Sequence, residues 1–222
     1  VASARLSAYY AQVDHFMTDQ YRTSSSTAAR GWSMGTDAFS KVLGGRLEAT
    51  AWGVRAGVEA YRRYWDTTTY LAGMQYKPQA SLPGATTDVV GLFAERSFRL
   101  GETVTLDAGL RWDRASASVD GAKASTDLSW AYHGTRATDR ADSLPGGSLR
   151  ARWRAADGLE ISLGAGTAAR IPEPQERWFS LKRMGTDWVG NPDLDPSRNT
   201  ALDLSASFRA GRLYVSASAF LN

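Results

Sequence analysis

Apolar residues recur at every second position through most of this chain, a period that only extended backbone with two unlike faces satisfies. The clearest stretch is 103–113, where Val104, Leu106, Ala108, Leu110 and Trp112 alternate with Thr105, Asp107, Gly109, Arg111 and Asp113. The same rhythm returns in Leu159, Ile161, Leu163 and Ala165, in Leu202, Leu204, Ala206 and Phe208, and in Leu213, Val215, Ala217 and Ala219. It is also present in Leu43 to Ala51, Val54 to Ala60 and Leu149 to Trp153, and more weakly in 2–17 and 88–98. Helical spacing is hard to find. The pattern predicts an all-β chain of nine antiparallel strands.

The links between these strands alternate in length. Short turns are expected at Gly53, 99–102, 156–158 and 209–211, and long connections at 18–35, 67–87, 114–146 and 169–198. When every other link is short, all the long ones fall at one end of an up-and-down sheet. Outer-membrane β-barrels are built this way, with tight periplasmic turns and long extracellular loops. A soluble β-sandwich, the competing class, rarely keeps its long loops at one end and seldom carries several of this length.

The polar face separates the two classes further. In a sandwich it meets bulk water and should be rich in Lys and Glu. Here it carries Arg, Asp, Glu, Ser, Thr and Gly, with Arg111/Asp113, Arg46/Glu48 and Arg55/Glu59 placed to form charge ladders on a lumen wall. Trp52, Tyr64, Trp65, Trp112 and Trp153 fall near strand ends, where an aromatic girdle is expected. Nine strands cannot close an even-numbered bacterial barrel. Both ends of the chain also fall within strand-like alternation. Either one strand is missed and the barrel is complete with about ten, or residues 1–222 are an arc of a larger barrel whose remaining strands are absent; the chain ends favour the arc.

Several functions are disfavoured. A net charge of +3 without a basic cluster gives no reason to expect nucleic acid as a partner. The absence of Cys removes thiolate metal sites and a Cys nucleophile. No catalytic motif occurs: Glu173 and Glu176 lie in a Pro-rich loop without a neighbouring His, and His133 stands alone in a polar loop. We expect a protein that is not an enzyme and has no catalytic cofactor.

The chemistry that stands out lies at the end of the first strand, Val13-Asp14-His15-Phe16-Met17. Residues two apart share a face, so His15 and Met17 join Arg5, Ser7 and Tyr9 on the polar side. An imidazole beside a thioether suits a soft or borderline metal, Cu(I) first. The spacing leaves a second reading open, in which Met17 packs against a neighbour and His15 is an ordinary lumen polar group. Met34 and Met74 fall in the expected outer loops, as guides for a soft ion or as incidental residues.

Two blocks carry a resemblance. Gly166 to Phe179 contains Arg170, Pro172 and Glu176, and is followed by Asn191-Pro192-x-Leu194-x-Pro196 and the acidic Asp203. This arrangement resembles TonB-dependent outer-membrane receptors, as do Phe93 to Leu100 and Gly109 to Asp113. Ser197-Arg198-Asn199 departs from the family's usual Glu-Ser/Thr. Pro172, Pro174, Pro192 and Pro196 would stiffen an irregular loop, with Arg170 and Glu176 bracing it. Asp14, His15, Met17, Tyr21 and Arg22, with Gly44-Gly45-Arg46 and Asp113-Arg114-Ala115, resemble the copper receptors of that family.

The resemblance implies energy-coupled uptake across the bacterial outer membrane, with copper as the transported ligand and His15 and Met17 as metal ligands. It also implies a plug domain, absent from this chain, that completes the metal site and engages the TonB–ExbB–ExbD complex, and a barrel wall set against outer-membrane lipid. A siderophore or cobalamin receptor is the alternative within the family. A passive porin-like or structural barrel is the alternative outside it.

Overall fold

The alternation is realised as one continuous sheet. A computed structural model describes residues 2–19, 21–23, 33–72, 77–183 and 185–222. Its long strands are β1 (Ser3–Thr18), β2 (Ser33–Ala51), β3 (Val54–Ala72), β4 (Gln79–Leu100), β5 (Val104–Ser118), β6 (Asp139–Ala156) and β7 (Leu159–Arg170). A helix α1 (Thr126–His133) lies between β5 and β6. The link after β7 holds a short helix α2 (Pro174–Trp178) and a two-residue pair, β8 (Ser180–Leu181) with β9 (Trp188–Val189). Strands β10 (Ser197–Ala210) and β11 (Leu213–Leu221) complete a nine-stranded sheet of order β1-β2-β3-β4-β5-β6-β7-β10-β11, each neighbour antiparallel.

The register carries the two faces without interruption from strand to strand. One row runs Leu47–Val58–Leu92–Trp112. The row beside it runs Glu48–Gly57–Phe93–Arg111 on the opposite face, where Phe93 is buried with the Arg46 guanidinium 4.4 Å over its ring. Leu6, Leu43, Leu47, Leu92, Leu110, Leu163 and Leu204 all lie on the same outer face, and all are exposed. A contiguous apolar belt of this extent does not persist in water; it is the surface of a wall that meets lipid. No helix among the described residues is long and apolar enough to cross a membrane.

Aromatic residues bound the belt. Trp153, Phe98 and Phe208 stand on the outer face at the short-turn end, and Trp112, Tyr64, Phe39 and Phe16 toward the other. Trp112 pairs with Pro145, eight residues before Trp153 on β6. At about 3.3 Å per residue and a strand tilt of about 40°, that separation gives roughly 20 Å of height, close to an apolar membrane band. Trp65, expected in the girdle, points inward instead. It packs on Leu82, Ala85, Ala117 and Trp178, because β3 is an odd-inward strand and Trp65 is odd.

The β2–β3 hairpin closes through Trp52-Gly53 between the paired Ala51 and Val54. Both turn residues take positive φ, 50° and 75°, the mirror-image turn that matches strand twist. Trp52 is the one non-Gly residue with positive φ among the described residues, and its side chain is almost fully exposed.

Strands on the long-link side continue beyond the expected boundaries. β3 runs to Ala72 and β4 starts at Gln79, whereas 67–87 read as a loop. β5 and β6 likewise extend to Ser118 and from Asp139. Outside the bilayer the outer face no longer needs to be apolar, so Thr67-Thr68-Thr69 loses the alternation while keeping its partners Leu82, Ala80 and Gln79. Register shifts between Trp65 and Thr68 mark where the pairing becomes irregular.

The small core sits on the inner face near the long-link end. Leu82, Ala85, Ala117 and Trp178 form one cluster, and Val89, Ala115 and Leu144 with Tyr61, Ala169 and Ile171 form another. Both join the wall to the segment that follows β7.

Candidate functional site

The inner face is lined by a lattice of ion pairs. Arg46 lies 3.0 Å from Glu48 and 3.9 Å from Glu59, and Arg111 reaches Glu59 at 3.4 Å and Asp113 at 2.7 Å. Arg55, expected beside Glu59, pairs across strands with Glu95 at 2.5 Å, because the register sets those two residues opposite each other. Lower in the wall Arg152 contacts Asp107 at 2.9 Å and Arg150 contacts Asp203 at 3.5 Å. Gly91 makes room for part of this lattice: a Cβ there would collide with the Asp113 carboxylate and the Arg111 guanidinium. Beside it Gly109, Ser148, Gly164, Gly166 and Asp203 line a trough of about 770 Å³.

The segment between β7 and β10 folds back onto this face. Arg177 on α2 is fully buried. Its Nη1 donates to Asp142 Oδ2 at 2.9 Å and its Nη2 to Asp142 Oδ1 at 3.2 Å, a bidentate pair with β6. Nε and Nη2 also donate to the Leu194 carbonyl at 3.1 and 2.8 Å, which ties the two halves of the link together. Arg63 on β3 forms an ion pair with Glu173. The Asn191-Pro192-x-Leu194 block turns through Asp193 N donating to Asn191 Oδ1 and Leu194 N donating to Asn191 O.

Arg170 and Glu176 brace this loop as expected. The guanidinium meets both carboxylate oxygens, at 2.7 and 3.0 Å. Glu176 also accepts from the Glu173 backbone N–H at 2.6 Å, half of a capping box at the start of α2. Glu176 lies outside the spanning strands. The hydrogen bond from Arg170, followed by that from the Glu173 backbone, holds its carboxyl below the ordinary value of 4.5. The stability it contributes is therefore complete above that value and is lost as pH falls through the lowered value in the folded loop. Hydrogen exchange of the 173–178 amides, corrected for intrinsic rates, should be slow at neutral pH and accelerate below about pH 4. Protection unchanged down to about pH 2 would show that the brace is not needed.

His15 and Met17 lie on β1 opposite Ala38 and Thr36 of β2, on the inward face. Met17 borders a cavity of about 200 Å³ whose lining includes Thr36, Ala38 and Trp65 from the wall and Phe179, Leu181 and Trp188 from the folded-back link. His15 is outside that lining. Met34, expected in a loop, is part of β2 and borders the same cavity. Its backbone carbonyl accepts from Asp19 N at 3.0 Å, which extends the hairpin upward. Met74 lies outside the described residues. Tyr21 is exposed, and Arg22 N donates to the Asp19 carbonyl at 2.9 Å. Among the described residues no three His, Asp or Glu side chains converge as a hard-metal site. His133 ends α1, with Nε2 3.4 Å from the Val189 carbonyl.

Two features escaped sequence reasoning. The Arg177–Asp142 clamp joins residues 35 apart through tertiary folding alone, and only the Pro-flanked Glu173-to-Glu176 start of a helix hinted at it. Met34 was assigned outside the ladder because Gly35, Thr36 and Asp37 break the apolar rhythm beside it.

Known proteins were compared on this basis. No curated protein sequence matches the chain. Among solved structures, the copper transporter OprC superposes with a TM-score of 0.75 at 26% identity, over 98% of this chain and 35% of its own. The ferric-catecholate import receptor Fiu from E. coli K12 superposes with a TM-score of 0.61 at 13% identity, over 99% of this chain and 38% of its own. The hemophore receptor HasR of Serratia marcescens gives 0.58 at 16%, over 99% and 40%. The chain thus spans somewhat over a third of the length of these structures. The family model described as TonB dependent receptor-like, beta-barrel, matches residues 2–222, and the chain belongs to that family.

Proposed function

We propose that this chain is part of the barrel of an outer-membrane receptor that imports copper in an energy-coupled cycle, with His15 and Met17 as metal ligands. The observation that carries the reading is the pairing of an imidazole and a thioether on the inward face of β1, in a chain whose fold matches a copper transporter at 26% identity. Thioether and imidazole donors select Cu(I) over hard cations. The trough on the lower wall, lined by Gly109, Gly164 and Gly166 beside Glu95 and Arg150, would leave room for a plug domain. Through that plug a TonB–ExbB–ExbD complex would supply the pull that opens a path. His15 and Met17 would hold the ion in the lumen until then, and the belt of leucines would keep the wall in outer-membrane lipid.

Siderophore and heme receptors share the fold, at identities of 13–16%. They define the second reading, in which the ligand is a chelate held by the outer loops. The receptor purified in detergent should bind Cu(I) tightly, and the double variant His15→Ala/Met17→Ala should lose affinity by about 100-fold or more while retaining a folded barrel on unheated gels. Copper binding equal in both proteins would remove the metal assignment and leave the barrel standing.

A further inference from the structure

The cavity under the β7–β10 link brings together the two described thioethers of the inner wall. Met17 and Met34 both line it. β1 and β2 are paired so that Met17 faces Thr36, two residues along from Met34 and on the same face. Such diagonal neighbours lie roughly 7–8 Å apart at the backbone, within reach for long unbranched side chains.

The rest of the lining is chosen against hard ions. Leu82, Leu181 and Phe179 make it largely apolar, Gln175 adds one neutral amide, and among the described residues no carboxylate borders it. The hydroxyls nearby are occupied with one another: Thr36 with Thr69 at 3.1 Å, and Ser81 with both Thr67 and Thr69 at 2.8 Å. A divalent cation would lose its hydration here without gaining an anionic ligand. A soft monovalent cation loses less, because desolvation cost rises with the square of charge, and it gains two neutral sulfur donors. Trp65 and Trp188 share the lining, each with a guanidinium already over its ring, Arg63 at 5.7 Å and Arg183 at 4.2 Å, so they report on the cavity by fluorescence and are not needed as ligands. At about 200 Å³ the space falls below the ~300–1,000 Å³ of small-molecule sites, which suits an ion rather than a chelate.

We propose that Met17 and Met34 form a bis-thioether site for a soft monovalent cation, Cu(I) or Ag(I), in the cavity that Trp65 and Trp188 also line. The inference rests on the copper reading and extends it by a ligand outside the His15/Met17 pair. Met17 belongs to both pairs. An ion arriving on the long-link side can therefore pass from Met34 to His15 by exchanging one ligand while Met17 holds on.

The test uses the detergent-purified receptor and two single variants, Met34→Leu, which keeps volume and apolarity, and His15→Ala. Titration with Ag(I) followed by tryptophan fluorescence, Cu(I) competition against a chelator, and X-ray absorption of the Cu(I) form are the readouts. Met34→Leu should lose one sulfur neighbour, lose most of the Ag(I) quenching, and bind Cu(I) roughly tenfold more weakly. Wild-type sulfur count and quenching in Met34→Leu, with His15→Ala weakened, would overturn the inference and leave the His15/Met17 reading intact. A weakened Met34→Leu beside an unaffected His15→Ala would uphold the thioether pair and remove His15 from the site.

Discussion

Replacing Arg177 with Met is expected to release the segment between β7 and β10 from the wall, at a cost of about 3–5 kcal/mol. The change leaves the Asp142 carboxylate buried with no counter-charge and the Leu194 carbonyl without two of its donors. An unpaired buried charge is worse than either a satisfied pair or an apolar replacement. Adding Asp142→Leu to Arg177→Met should therefore restore much of the loss, whereas Arg170→Ala, at an exposed pair, should cost under about 1 kcal/mol. Hydrogen exchange of residues 171–196 and protease cleavage of the intact receptor read the effect directly. Equal protection in wild type and Arg177→Met would show that the two core clusters, rather than the clamp, hold the segment down.

The second large effect concerns the lipid face. Leu110 is 72% exposed on β5, two residues below the Trp112 girdle and six above the level of Trp153. Leu110→Arg should destabilise the inserted barrel by about 1–3 kcal/mol, between the midplane and interface ranges for a cation. A surface leucine of a water-soluble domain would accept the same change within about 0.5 kcal/mol. Ser207→Arg, which places the same side chain on the inner face beside its partner Glu160, is the control and should be tolerated. Urea titration of the receptor in liposomes separates the cases. Similar midpoints for Leu110→Arg and wild type would mean that this face does not meet lipid.

How far the sequence could be read depended on where the environment imposes a two-residue period. In 104–112 lipid demands apolar side chains at even positions and the lumen accepts polar ones at odd positions, so the strand and its two faces were both legible. Beyond the bilayer that demand ends. The continuation of β4 through Ser81, Leu82, Pro83 and Gly84 reads as loop, although Leu82 still pairs with Thr67 and Ser81, Leu82 and Pro83 are buried. Trp65 was placed with the girdle because an aromatic near a strand end suits either face, and only the register shows that it turns inward. For the site, the shared face of His15 and Met17 followed from spacing alone. Met34 did not, because its proximity to Met17 arises from the pairing of two strands. Arg177 and Asp142 have no local relation at all. Arg170 and Glu176, six residues apart, were legible as a brace because the Pro-rich context left the loop few ways to close.

The Trp52-Gly53 turn combines a backbone cost with an interfacial anchor. A bulky side chain at positive φ is disfavoured by about 1–2 kcal/mol. The turn closes a short link at the foot of the wall, where an almost fully exposed indole suits the headgroup layer. The residue that strains the backbone is thus the one placed to hold the foot of the β2–β3 hairpin at the interface.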